Sequence, residues 1–149
     1  MMVSLKPHPP APRPRSVRDL MTADVISIAP DAPVARAVEL LADAHISGLA
    51  VIDHHERLVG VISTTDILNA EAEAGDEPAR NRLWTVATVR DIMTPRALTV
   101  APELELREAA LQMDYGDVHR LFVEAGGRLI GVISRSDINR AFANGRLGS

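Results

Sequence analysis

Two four-residue segments carry the side chains best suited to chemistry: Ser63-Thr64-Thr65-Asp66 and Ser134-Arg135-Ser136-Asp137. Each follows a short apolar run, Val61-Ile62 or Val132-Ile133, that reads as the end of a strand, and each opens a stretch that reads as a helix. The first N–H groups of a helix have no partner within it, and the dipole there favours negative charge, so such a point binds phosphate readily. The Ser and Thr hydroxyls add donors. An Asp about one turn in presents two acceptor oxygens, which suits the two hydroxyls of a ribose. A single copy also matches an ordinary capping box. The same pattern at the same place twice asks for a further reason.

That reason lies in the whole chain. Val17-Arg18-Asp19-Leu20-Met21-Thr22 returns as Val89-Arg90-Asp91-Ile92-Met93-Thr94, a lag of 89 − 17 = 72. Gly60-Val61-Ile62-Ser63 returns as Gly131-Val132-Ile133-Ser134, a lag of 131 − 60 = 71, so one residue was lost between these points. Two similar halves can pack about a pseudo-two-fold axis and place matching pockets in the cleft between them. Gly60 and Gly131 permit close approach of another backbone or of a ligand.

Each copy follows one plan. A helical turn over 17–21 precedes a brief strand over 25–28; Pro33 suits a first helical turn. Val34, Ala37, Val38 and Leu41 fall at helical spacing. Strands over 49–52 and 58–62 flank a hairpin loop over 53–57, and a second helix covers 65–73. The corresponding pieces of the second copy are 97–100, 106–113, 121–124, 129–133 and 136–143. One half has about three strands and an apolar face it cannot cover alone. The expected fold is therefore α+β: two β-α-β-β-α repeats packed sheet to sheet about a pseudo-two-fold axis, as one compact module. The boundaries are a disordered Pro-rich tail over 1–16, repeat one over 17–73, a linker over 74–88, repeat two over 89–143 and a tail over 144–149.

The 149 residues, 46% hydrophobic but 3% aromatic, suffice for one aliphatic core or two small halves sharing one. A net charge of −4 argues against a nucleic-acid partner, and the absence of cysteine excludes disulfides, thiol catalysis and zinc–thiolate sites. No apolar run approaches the roughly 20 residues of a membrane span, and the start of the chain lacks a signal-peptide core, so a cytoplasmic protein without a membrane partner is expected. Asp53-His54-His55 spells a phosphoesterase triplet but lacks the further ligands of a two-metal site, and reads as a solvated turn. No metal site is expected. His45 falls at a helix end, Met21 and Met93 read as core, Trp84 as a linker residue packing over the core, and the acidic run from Glu71 to Glu77 as solvated.

Taken together, the two Gly-apolar-apolar-Ser-x-x-Asp segments, the two Val-Arg-Asp-apolar-Met-Thr openings and the Ala-Pro that precedes an amphipathic helix resemble a tandem of CBS domains, a Bateman module, over residues 17 to about 142. That family implies two potential pockets for adenosine-containing ligands, namely AMP, ADP, ATP or S-adenosylmethionine, a regulatory role without a catalytic residue or a required cofactor, and a disc-shaped homodimer. Carried over by position, pocket 1 comprises Ser63, Thr64, Thr65, Asp66, Thr94, Leu98, His119 and Arg120, with His119 and Arg120 near the phosphates. Pocket 2 comprises Thr22, Ile26, Ser47, Gly48, Ser134, Arg135, Ser136 and Asp137. Ser47-Gly48 stands where His119-Arg120 stands, and Arg135 in place of Thr64 could restore one charge. The pockets are expected to be unequal, with the Asp66 pocket the better phosphate binder.

The reading is a regulatory, energy-sensing module that binds an adenine nucleotide between its repeats and transmits this to a separate, unknown protein. The alternative is a dimerisation or interaction scaffold of the same fold with empty pockets. No nucleophile–base pair or P-loop supports an enzyme.

Overall fold

The computed structural model describes residues 14–95 and 97–143. Most of the expected 1–16 tail and all of the 144–149 tail lie outside the described residues. Two three-stranded sheets carry the fold, ordered β1-β2-β3 and β4-β5-β6. In the first, β1 (Ser27–Ile28) runs parallel to the central β2 (Gly48–Ile52), and β3 (Leu58–Ser63) runs antiparallel to it. The second repeats this with β4 (Thr99–Val100), β5 (Arg120–Ala125) and β6 (Arg128–Ser134).

Helices cover one face of each sheet. Val34, Ala37 and Leu41 of α2 (Val34–Ala44) and Ile67 of α3 (Thr64–Ala74) bury against Leu49, Val51 and Ile62. Leu106, Ala109 and Met113 of α6 (Leu106–Gly116) and Ile138 of α7 (Arg135–Ala143) do the same against Leu121, Val123 and Ile133. Successive strand residues point to opposite faces, yet Ala50 and Phe122 are buried as well. The central strands are thus covered on both faces, which is why they read as continuous apolar runs rather than alternating ones. On the second face Phe122 lines a cavity whose walls come from both repeats, and the two three-stranded sheets with their helices make the expected α+β module.

The repeats exchange their opening segments. The sequence reading placed each opening turn within its own copy. In the structure α1 (Val17–Leu20) packs into the second core, and α5 (Val89–Ile92) into the first. Val17 N donates to Leu104 O at 2.9 Å, and Val89 N to Ala32 O at 2.9 Å. Each segment then adds a short bridge to the other repeat's sheet. Thr22 exchanges two backbone bonds with Val132, at 2.9 and 3.0 Å, and Thr94 exchanges two with Val61, at 2.8 and 2.9 Å. The acid of each Val-Arg-Asp opening ends the turn's orphan donors. Asp19 accepts from Arg15 N and Ser16 N at 2.9 and 3.1 Å, and Asp91 accepts from Thr88 N at 2.8 Å. Those two backbone donors, Arg15 first, hold the Asp19 carboxyl below its ordinary pKa.

Two features lie where periodicity gave no signal. The segment joining the repeats contains α4 (Glu77–Thr85), capped by Asp76, which accepts from Ala79 N at 2.9 Å. Leu83 is buried and Trp84 packs on the first core. The lost residue maps to the hairpins: Ile52 pairs with Leu58, a span of 58 − 52 = 6, whereas Glu124 pairs with Leu129, a span of 129 − 124 = 5. The shorter turn uses Gly126 and Gly127 at φ 61° and 80°, a region glycine enters without steric cost.

The exchanged bridges set the demand for glycine. A Cβ on Gly60 would fall 2.6 Å from Thr94 O and 3.0 Å from Met93 Sδ; on Gly131 it would fall 2.6 Å from Met21 Sδ and 3.0 Å from Thr22 O. At position 60 the nearest atom is backbone fixed by two bridge bonds, while at 131 it is a flexible thioether. Gly60→Ala is therefore expected to destabilise by about 1–3 kcal/mol, the usual range for overpacking, and Gly131→Ala by less. Urea denaturation of both variants measures this, and an equal or reversed order would contradict the close-approach account.

Candidate functional site

Both Ser-x-x-Asp segments sit at strand-to-helix junctions, as their sequence suggested, and both close a capping box. Ser63 N and Oγ donate to Asp66 Oδ2 at 2.9 and 3.0 Å, and Asp66 N donates back to Ser63 Oγ at 3.1 Å. Ser134 N donates to Asp137 Oδ2 at 2.9 Å, and Asp137 N to Ser134 Oγ at 3.1 Å. The local role and a ligand role are compatible, because the box uses Oδ2 and leaves Oδ1 turned to other partners. Each junction is also tied to the strand beside it. Thr64 N donates to Ser47 O at 3.0 Å, and Arg135 N to His119 O at 2.7 Å.

Around Asp137 the fold opens a cavity of about 450 Å³ between the repeats. Its walls include Thr22, Ile26 and Gly48 from the first repeat's sequence and Ser134, Ser136 and Asp137 from the second. Six of the eight residues expected for pocket 2 thus share one cavity. Ser47 borders it through Arg120. Arg135 turns away: its Nη2 pairs with Asp114 Oδ1 at 2.8 Å, and its buried Nε has no hydrogen-bond partner. Sequence reasoning missed Asp24, Val25, Ile46, Phe122 and Val132, which also line the cavity. Phe122 offered a signal, as one of two phenylalanines in a chain otherwise aliphatic.

Arg120 is placed differently from the expectation. It was grouped with Asp66, but its side chain lines the Asp137 cavity. From the start of β5 it crosses to the other repeat, where Nη1 donates to Gly48 O at 3.0 Å and Nη2 to Ser47 Oγ at 3.1 Å. The physical reason is the exchange of segments: the start of β5 faces the equivalent start of β2, and Gly48 there has no side chain to fill the gap. Burial pushes the Arg120 guanidinium below its ordinary pKa. Two neutral acceptors hold it, and among the described residues it makes no ion pair. A half-buried cation with only neutral partners is incompletely compensated.

The Asp66 set is assembled in part. Thr94 Oγ1 donates to Asp66 Oδ1 at 3.0 Å, so this expected pair is in contact. Thr64 and Thr65 occupy the exposed first turn of α3 beside it. Leu98 packs over Gly116 at the end of α6, its Cδ1 2.7 Å from where a Cβ would stand there. His119 is exposed, and its carbonyl serves α7.

Of the remaining chemical candidates, Asp53 is spent on its own turn. Its Oδ1 accepts from His55 N and Arg57 N at 2.9 and 3.0 Å, and the Arg57 N–H chiefly, then that of His55, holds its carboxyl below the ordinary pKa. His45 is the left-handed residue that ends α2, φ 54°. Among the described residues no group of three or more His, Cys, Asp or Glu could hold a metal ion, and no helix is long and apolar enough to cross a membrane.

A repeated β-α-β-β-α unit, exchanged openings and a paired Ser-x-x-Asp cleft define one class of protein. The sequence pattern of the CBS domain matches residues 17–73 and 89–144, and the chain belongs to the CBS-domain family. Among individual proteins, it is 31% identical to the chloroplastic CBS domain-containing protein CBSX2 of Arabidopsis thaliana over 85% of this chain and 63% of that protein. It is also 31% identical to an inosine-5'-monophosphate dehydrogenase of Methanocaldococcus jannaschii, over 80% of this chain and 22% of that enzyme. The chain thus spans less than two thirds of either relative. The crystal structure of CBSX2 in complex with AMP aligns over 87% of this chain and 96% of that one, at 32% identity and a TM-score of 0.73. The CBS domain pair of MJ0100, in complex with 5'-methylthioadenosine and S-adenosyl-L-methionine, shares the fold at a TM-score of 0.72 and 24% identity, over 85% of this chain and 98% of that one.

Because Ser63 is the N-cap of α3 and sits in a bonded box, Ser63→Ala should cost about 1 kcal/mol of stability. Chemical denaturation reads this. A loss near zero would show that the box carries no stability and that Ser63 stands there for another reason.

Proposed function

We propose that this chain is a regulatory module that binds an adenosine-containing nucleotide in the cleft between its CBS repeats, without catalysing a reaction. The observation that carries this is the Asp137 cavity with Arg120 in its wall. The cavity offers a carboxylate one turn into a helix, Ser136 in the first turn of that helix, apolar walls from Val25, Ile26, Ile46 and Phe122, and one cation without an anionic partner. A ribose diol suits the carboxylate, an adenine suits the apolar walls, and a phosphate supplies the charge that Arg120 lacks. The AMP complex of CBSX2 supports this choice of ligand class. The phosphate is assigned here to the Asp137 cavity, because the guanidinium lies there. The Asp66 set, Ser63, Thr64, Thr65, Asp66, Thr94 and Leu98 with His119, is retained as a second site for the same class.

Ligand changes a conformational balance only through unequal affinity for the two states. Here Arg120 joins the repeats directly, so an anion that draws it off Gly48 O and Ser47 Oγ would loosen that joint. The regulated protein is a separate partner.

We further propose that two copies associate through the helices of repeat two. Tyr115, Leu111 and Phe142 on α6 and α7 are 88%, 48% and 44% exposed. Their counterparts in repeat one are Asp43, Glu39 and Glu71. An isologous contact fits the apolar face and is opposed by like charge on the acidic one. Leu111→Glu with Tyr115→Glu should turn a dimer into a monomer by light scattering; a wild-type monomer, or a dimer indifferent to the pair, would refute this interface.

Calorimetric titration of nucleotide-stripped protein with AMP, ATP, S-adenosylmethionine and adenosine tests the ligand reading. Arg120→Ala should weaken AMP by about tenfold or more, the worth of a charge-assisted bond, and adenosine by less than twofold. Asp137→Ala should weaken both. Equal losses of AMP and adenosine on removing Arg120 would remove it from the phosphate site. No binding of any of the four, with a stable dimer, would favour the scaffold function instead.

A further inference from the structure

The two motif carboxylates are held differently at Oδ1, the oxygen outside the capping box. Oδ2 of each is committed to its capping box. At Asp66, Oδ1 takes the neutral Thr94 hydroxyl at 3.0 Å. At Asp137, Oδ1 takes the guanidinium of Arg140, one turn further along α7, at 2.6 Å. The residue one turn beyond Asp66 is Asn69, at the counterpart position 140 − 71 = 69, and it makes no bond to Asp66 in the structure. The Arg140 side chain is 73% exposed, while that of Asp137 is 19% exposed. The cation therefore covers the carboxylate from the solvent side, without belonging to the cavity wall.

We propose that Arg140 is a specificity-determining residue that occupies Asp137 Oδ1 against the hydroxyl groups of an incoming ligand. This rests on the reading of the Asp137 cavity as a ribose site. A hydroxyl that binds there competes with an ion pair, a bond charged at both donor and acceptor, and offers in its place one charged at the acceptor alone. At Asp66 a hydroxyl replaces another hydroxyl. A ligand with only neutral donors therefore favours Asp66. A ligand that also brings a phosphate to Arg120 recovers the loss at Asp137. The outcome is a division between the two sites: nucleosides at Asp66, nucleotides at Asp137.

The counterpart residue supplies the test. In an Asp66→Ala background, where only the Asp137 site remains, Arg140→Asn should tighten adenosine by about two- to fivefold, the range that an exposed ion pair is worth. Arg140→Lys, which keeps the charge, should stay within about twofold of the parent. Salt gives a second sign. Adenosine affinity in the Asp66→Ala parent should rise from low to high ionic strength as the Arg140 pair is screened, and this rise should be absent with Asn at 140. In an Asp137→Ala background, Asn69→Arg should weaken adenosine by a similar factor. If Arg140→Asn leaves adenosine unchanged or weakens it, Arg140 orients the carboxylate rather than competing for it, and the proposal falls while the ligand site stands. If the Asp66→Ala parent binds neither adenosine nor AMP, the ribose site itself is refuted and the proposal with it.

Discussion

Everything in this fold depends on the exchange of opening segments. Met21-Thr22 and Met93-Thr94 each run against a glycine of the opposite sheet, at Gly131 and Gly60, close enough that a Cβ would sit 2.6 Å from its nearest neighbour. Each repeat taken alone lacks part of its core: the first is closed by Leu83, Val89 and Ile92, the second by Val17 and Leu20. Neither β-α-β-β-α unit can bury its apolar face without the other, so the pair is the folding unit. The cleft follows from the same constraint. The opening segment of each repeat bridges to a strand of the other at Thr22 and Thr94, and the junctions at Asp66 and Asp137 are brought to the seam between them.

The pseudo-symmetry is close in the backbone and broken in the charges. Position by position, Gly48 faces Arg120, Asn69 faces Arg140, Thr64 faces Arg135, and the acids Glu39, Asp43 and Glu71 face Leu111, Tyr115 and Phe142. Arg120, Arg135 and Arg140 all come from the second repeat, and so do the exposed Leu111, Tyr115 and Phe142, whereas the first repeat exposes Leu68 on α3. One frame thus carries two Ser-x-x-Asp junctions with different charged neighbours, because side chains at solvent or at a cavity wall can diverge more readily than the glycines at the bridges.

Much of this was legible in the residues. The repeat gave the architecture, since two copies of an eight-residue pattern fix where strands end and helices begin. Alternation failed usefully at Leu49-Ala50-Val51 and Leu121-Phe122-Val123, where continuous apolarity marks strands covered on both sides. The exchange itself left no periodic trace. Sequence order places Val17 beside its own repeat, and the structure shows otherwise through the Val17–Leu104 backbone bond and the pairing of Thr22 with Val132. The helix α4 was hidden for a different reason: it shows one buried residue, Leu83, and its stability comes from the Asp76 cap and the docking of Trp84, neither of which makes an apolar stripe.

The site was less legible than the fold, and Arg120 shows why. Position along the chain assigned it to the cleft of Asp66, yet a side chain of that length reaches across a seam to whichever neighbour leaves room. Gly48 leaves room and offers its carbonyl. Arg135 illustrates the opposite case: it stands within the Asp137 motif but is drawn to Asp114 on α6. For short side chains such as Ser134, Asp137 and Thr22, backbone position decides which cavity they line, and the repeated segments locate them. For arginines, the acceptors within about a side chain's reach decide, and those are set by the partner repeat. The electrostatic character of each cleft therefore belongs to the pair, and a motif read within one repeat cannot supply it.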